Sequence, residues 1–89
     1  MFSFHPAKTI TTGEGGMVTT NDENLYRRLK LFRNNGIERN PEFLSQPSPG
    51  PWYYEVEDLT GNFNFTEFQA SLGLTQMSRL NKFVKKRQE

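Results

Sequence analysis

Apolar positions recur with a helical period in two stretches of the chain. Leu25, Leu29 and Phe32 fall at spacings of four and three with Tyr26 beside them, which predicts a helix with one apolar face. Asn21 or Asp22 serves as its N-cap, and Asp22 with Glu23 places negative charge at the positive end of the helix dipole. Arg27, Arg28, Lys30 and Arg33 load the other face and the last turn. Asn34-Asn35-Gly36 ends the helix, Gly36 being suited to a left-handed position just past it. The second stripe is Phe65, Phe68, Leu72, Met77, Leu80, Phe83 and Val84, which predicts one long helix. Thr66 and Gln69 have the spacing of a capping box at its start. Lys82, Lys85, Lys86 and Arg87 complement its C-terminal end and form a solvated basic face.

The rest of the chain lacks that period. Residues 16–20, GMVTT, read as a short strand after a glycine turn. Residues 37–61 hold four of the five prolines, so a long loop is expected there, of the kind that is functional or disordered. Trp52-Tyr53-Tyr54 implies that part of this loop docks on something. The predicted order is strand, helix, long loop, long helix, an α/β pattern. It divides into 1–36, a loop, strand and first helix; 37–61, the long loop; and 62–89, a turn and the second helix. A single strand has no partner within this set, so the pattern reads as part of a larger layered fold.

Composition sharpens that expectation. The chain has 89 residues, 34% of them hydrophobic, which is a thin supply for an independent core. With no cysteine and one histidine, neither disulfides nor a Cys- or His-rich metal site is available. A net charge of +1 argues against a nucleic-acid-binding role. No apolar run is long enough to span a bilayer, and the first ten residues do not read as a signal peptide, so a cytoplasmic protein is expected.

The candidate chemistry lies in SFHPAKTITTGEGG, residues 3–16. An ordinary lysine near pKa 10.4 has about one free amine in 2,500 at pH 7, so a reactive one needs desolvation or a nearby cation. An arbitrary lysine is a solvated surface residue, but Lys8 is bracketed by Pro6 and a β-branched run that hold it firmly. Ser3 offers a hydroxyl of the kind that binds phosphate. Gly13, Gly15 and Gly16 permit sharp turning and close backbone approach. GEGG matches neither a Walker loop nor GxGxxG. Other residues have plain structural uses. Asn62 beside Gly61 is a good turn residue, Phe63, Phe65 and Phe68 suit packing at a helix start, and Glu14 suits a cap or an ion pair. His5 reads as a packed or hydrogen-bonded residue.

The same segment resembles the active-site lysine region of the DegT/DnrJ/EryC1/StrS family of pyridoxal-phosphate-dependent sugar aminotransferases. Ser3, Phe4, Lys8, Gly13, Glu14, Gly15 and Gly16 match its S-F-x-x-x-K-x-x-x-x-G-E-G-G pattern. LFRNNGI resembles the family's L-R-x-H-G-I, with Asn35 where histidine is common. LTGNFNFTEFQASLGLTQM resembles its L-G-Y-N-Y-R-M-T-D-I-Q-A-A-L-G-L-x-Q-L, with Asn64 where arginine is usual. HPAKTITTGEGG together with WYYEV looks most like the pseudaminic-acid branch, whose members aminate a UDP-linked 4-keto-6-deoxy-N-acetyl sugar with glutamate as donor.

The resemblance implies the large domain of an aspartate-aminotransferase-like, type I fold. It implies that Lys8 holds the cofactor covalently and is catalytic, that Ser3 binds the cofactor phosphate, and that Asn62 reaches the phosphate in the neighbouring subunit of a homodimer. The 37–61 loop corresponds to a region near the partner's active site. A dehydrating branch of the family carries histidine at the Lys8 position, so lysine here favours transamination. The resemblance covers the middle of a family member, with strands expected upstream and a small domain downstream. The 89 residues alone are therefore expected to be inactive, and two further readings stand beside this one: an inert fragment without cofactor, or a small interaction module using the aromatic loop and the basic helix end.

Overall fold

The computed structural model describes residues 1–89. Contacts group them into two compact units, Met1–Thr19 with Phe65–Glu89, and Thr20–Asn64.

In the first unit, β1 (Phe2–Ser3) pairs antiparallel with β2 (Gly16–Met17), Phe2 opposite Met17 and Ser3 opposite Gly16. The strand expected over 16–20 is therefore two residues long and has a partner within the chain. Between the two strands the loop closes on itself through Phe4. Its N–H donates to the Gly15 carbonyl (2.8 Å), and its carbonyl accepts from the Thr12 N–H (3.1 Å) and the Thr11 hydroxyl (2.8 Å). Gly13 takes a φ of +83°, a left-handed conformation that costs glycine nothing.

The second helical stretch begins as its capping box predicts. Thr66 Oγ1 accepts from the Gln69 N–H, and Gln69 Oε1 accepts from the Thr66 N–H. One long helix was expected, but it is interrupted, giving α2 (Glu67–Met77) and α3 (Leu80–Gln88). Two hydroxyls near the break bond back to carbonyls of the preceding turn, Thr75 to Ser71 and Ser78 to Thr75. Such back-bonding bends helices. The expected apolar stripe is only partly the covered face: Phe65, Phe68, Leu72, Met77 and Val84 are exposed, and only Leu80 and Phe83 are half-covered. The half-covered residues are Gln69, Ala70, Gly73, Gln76, Leu80 and Phe83.

In the second unit, Asp22 caps α1 (Glu23–Arg33), its Oδ1 accepting from the Leu25 N–H at 3.0 Å. At the other end Asn35 and Gly36 are both left-handed, with φ of +57° and +68°, and the Gly36 N–H returns to the Leu31 carbonyl at 2.8 Å. A side chain at Gly36 would also overlap the Asp58 carbonyl, so the position demands glycine twice over. This reversal folds the chain back over Leu31, the one buried apolar residue, while Leu25, Tyr26 and Phe32 of the expected stripe stay exposed. Phe32 instead stacks on Phe63, with ring centroids 5.4 Å apart.

The 37–61 stretch is closed at its two ends by β3 (Ile37–Glu38) and β4 (Glu55–Val56), an antiparallel pair. Arg27 ties both ends down, donating to Glu38 Oε2 (3.0 Å) and to Glu57 (2.7 Å), with its guanidinium 4.1 Å from the centre of the Phe43 ring. Within the loop, Glu55 accepts from the Ser45 N–H, the Ser45 hydroxyl and the Tyr53 hydroxyl. Tyr53 is thus the docked member of the aromatic triplet, whereas Trp52 and Tyr54 are exposed.

Candidate functional site

Lys8 sits at the tip of the β1–β2 loop. Its own N–H donates to the His5 carbonyl (2.9 Å), and the Ala7 N–H donates to His5 Nδ1 (3.1 Å), which winds residues 5–8 into a turn. His5 is thereby a turn-forming residue, the structural role expected of it. The Lys8 carbonyl accepts from Arg87 Nη2 at 3.0 Å. The lysine backbone is therefore anchored, while its Nζ is exposed and makes neither a hydrogen bond nor an ion pair. Ser3 ends β1, and its Oγ receives only the long 3.4 Å contact from the His5 N–H.

Two backbone groups of the loop are satisfied by one face of α2, which apolar periodicity does not reveal. Gln69 Nε2 donates to the Glu14 carbonyl (2.8 Å), while its Oε1 closes the helix cap. Gln76 Oε1 accepts from the Thr11 N–H (3.3 Å). Between them Gly73 leaves room for the buried Thr12, whose methyl lies 3.0 Å from where a Cβ would stand. Residues 69, 73 and 76 share a helix face at the i, i+4, i+7 spacing. The readable signal was a glycine within a helix, flanked on that face by two glutamines. Glu14 takes part through its backbone carbonyl, accepting from Gln69 and from the Thr12 hydroxyl (2.9 Å).

Asn62 belongs to the other unit. It forms an isolated antiparallel bridge with Asn34, so its backbone is paired where a turn was expected, and its side chain is engaged as well. Its Oδ1 accepts from the Asn64 N–H (3.1 Å) and from Asn64 Nδ2 (2.9 Å). Asn64 Nδ2 also donates to Asn34 Oδ1 at 2.9 Å.

The sequence model of the DegT/DnrJ/EryC1/StrS aminotransferase family matches residues 1–89. The chain belongs to this family. Among its relatives in the family, the Helicobacter pylori UDP-4-amino-4,6-dideoxy-N-acetyl-beta-L-altrosamine transaminase is 39% identical over 89 residues, 100% of this chain and 21% of the relative. GDP-perosamine synthase of Caulobacter vibrioides is 36% identical over 88 residues, 98% of this chain and 20% of the relative. Among solved structures, Spr1654 of Streptococcus pneumoniae, in its PMP-form, superposes with a TM-score of 0.75 at 30% identity. That match covers 98% of this chain and 23% of the other. The chain thus spans about a fifth of the length of the curated relatives it matches, and its fold is a small α/β part of the aminotransferase fold.

Pyridoxal phosphate needs an amine for its carbonyl carbon and N–H or O–H donors for its phosphate. A lysine with a free Nζ on an anchored backbone fits the first need. The Ser3 hydroxyl and the outward N–H₂ group of Asn62 fit the second in kind. No metal is called for by these residues, and no cluster of acidic or histidine side chains suits one.

Proposed function

We propose that this chain is the lysine-bearing part of a pyridoxal-phosphate-dependent aminotransferase that moves an amino group from glutamate to a nucleotide-linked 4-keto-6-deoxy sugar. The observation that carries the reading is Lys8, whose Nζ is unengaged on a loop pinned by backbone hydrogen bonds at Phe4, Lys8 and Thr12. The two relatives support the substrate class: one is named for a UDP sugar and the other for a GDP-linked product, and both names denote amino sugars. The PMP-form neighbour supports the cofactor, since PMP is the aminated form of pyridoxal phosphate. Within the substrate class we favour the UDP-linked N-acetyl sugar of the pseudaminic-acid branch, on the WYYEV block and the H. pylori relative.

Each residue has a definite task in this reading. Lys8 Nζ holds the cofactor carbonyl carbon between turnovers; once released, it takes and returns the proton at the substrate carbon. Bound pyridoxal phosphate supplies the electron sink that makes that proton removable. The Ser3 hydroxyl donates to the phosphate. Asn62 does so in the site of a second subunit, which makes the working enzyme a homodimer. No helix is long and apolar enough to cross a membrane, and we place the enzyme in the cytoplasm on the family resemblance.

Borohydride reduction of the whole protein, followed by peptide mapping, tests the assignment. The cofactor is expected on Lys8; label on Lys30 or Lys82 instead overturns it. Lys8→Arg keeps charge and stem, so it is expected to abolish turnover and leave the thermal midpoint nearly unchanged.

A further inference from the structure

We propose that Asn64 is a positioning residue: it locks the Asn62 side-chain amide with its N–H₂ group outward, as a donor to the cofactor phosphate. The inference rests on the reading of Asn62 given above and goes beyond it by naming what aims that donor.

An asparagine amide has two similar ends, and its last torsion has roughly two-fold preference. Unrestrained, it would present its oxygen to a phosphate about as often as its N–H₂, and the oxygen is repelled. Here a backbone group removes the ambiguity. The Asn64 N–H faces the Asn62 amide at 3.1 Å, and a backbone N–H can only donate. The Asn62 atom it meets must therefore be Oδ1, so Nδ2 points the other way. The rest follows in sequence. The Asn64 side-chain atom that meets the same Oδ1 at 2.9 Å must be a donor, Nδ2. The Asn34 atom that meets this Nδ2 at 2.9 Å must be an acceptor, Oδ1. Both hydrogens of Asn64 Nδ2 are then used, and Asn62 Oδ1 accepts twice. Asn62 Nδ2 donates to nothing in the protein and belongs to an exposed residue.

The backbone beneath is equally fixed. Asn34 and Asn62 form an antiparallel bridge, the Asn35 N–H donates to the Gly61 carbonyl (3.0 Å), and the Phe63 N–H donates to the Arg33 carbonyl (2.8 Å). A donor held ready in this way binds an anionic oxygen without first ordering a rotor.

The test uses the whole protein freed of cofactor and measures its affinity for pyridoxal phosphate and for pyridoxal, which lacks the phosphate. Asn62→Ala is expected to weaken pyridoxal phosphate roughly tenfold and pyridoxal hardly at all. Asn64→Asp replaces the inward side-chain donor by a charged acceptor that competes with the backbone N–H for the Asn62 amide and favours turning its Nδ2 inward. Its loss should approach that of Asn62→Ala and again be confined to the phosphate-bearing ligand. The double variant should be no weaker than Asn62→Ala alone. Asn64→Leu keeps the backbone N–H clip, so its loss is expected to be about twofold, the cost of a half-freed rotor. It also serves as the variant to use should Asn64→Asp fail to fold. Asn64→Gln retains the N–H₂ donor and should restore most of the affinity.

If Asn62→Ala leaves phosphate-dependent affinity unchanged, the reading of Asn62 falls and this inference falls with it. If Asn62→Ala weakens binding but the Asn64 variants do not, the reading stands and the inference is overturned. Equal losses for pyridoxal and pyridoxal phosphate, or full additivity in the double variant, overturn it as well, since both mark a merely structural residue.

Discussion

Glu38 shows how one carboxylate organises a loop that has few apolar contacts of its own. It is buried, and burial alone pushes its carboxyl pKa up. The N–H groups of Asn40 and Arg39 and the Arg27 guanidinium together outweigh that, holding it below the ordinary 4.5. A depressed folded pKa means that the unfolded chain binds more protons just below 4.5, so stability rises with pH in that window. The contribution is present in full above the unfolded value and is lost as pH falls through the folded one. Glu38→Gln removes the charge and is expected to cost about 1–2 kcal/mol at neutral pH, after allowing for solvent screening of the partly exposed Arg27. The gap between variant and wild type in thermal midpoint should narrow as pH falls below 4.5 and close as it passes through the depressed folded value. A gap that stays constant down to acid pH would show that the carboxylate's charge plays no part. Glu55, held low by the N–H and hydroxyl of Ser45, has the same sign of dependence.

Among the elements, α2 carries the most information about the lysine loop, and it does so on the face that hydropathy passes over. Gly73→Ala separates two effects. Alanine improves helix propensity by about 1 kcal/mol in an open position. Here the new Cβ would stand 3.0 Å from the Thr12 methyl, and Thr12 is buried with its hydroxyl bonded to the Glu14 carbonyl, so it cannot yield easily. The propensity gain should therefore be absent in Gly73→Ala. It should reappear when the same change is made in Thr12→Ser, which lacks the methyl but keeps the hydroxyl. Thermal midpoints of the four proteins in this cycle decide the matter; a gain of equal size in both backgrounds would remove the close packing from the account. The starts of α1 and α2 and the end of α1 were legible because capping is local: Asp22, Thr66 with Gln69, and Gly36 act within a few residues of themselves. Lys8 and Ser3 were singled out as candidates by their neighbours, and they and Asn62 were given roles only by the resemblance. Of the two-residue strands only β2 was foreseen, within the strand expected over 16–20; β1, β3 and β4 were not, because pairing such as Ser3 with Gly16 or Glu38 with Glu55 joins residues distant in sequence, and two residues carry no period. The break at Ser78–Arg79 and the burial of Leu31 in place of Leu25 and Phe32 escaped for the same reason. Each depends on where a hydroxyl or a returning loop lands, which apolar spacing does not encode.

At the scale of the whole molecule the unusual fact is how little apolar surface the chain covers. Leu31 is its single buried apolar residue, whereas Phe68, Leu74 and Met77 on α2 and Leu25 and Phe32 on α1 are exposed. A fully buried side chain of this size is worth about 1.5–3 kcal/mol, so faces like these are normally covered by further protein. The proposed homodimer supplies a second copy, and the proposal assigns Lys8 of one subunit and Asn62 of the other to the same cofactor. Mixing whole proteins that carry Lys8→Ala and Asn62→Ala tests that assignment, at cofactor concentrations too low to saturate Asn62→Ala alone. In a mixed dimer one site would carry both lesions, and the other would combine an intact Lys8 with an intact Asn62. Activity should therefore partly return on mixing, although each parent is nearly inactive under these conditions. If instead each site draws both residues from one chain, every site in the mixture keeps one lesion and no activity returns. Subunit exchange is checked independently, by mass spectrometry of differently tagged chains, so that failure to recover counts against the shared site and not against the mixing.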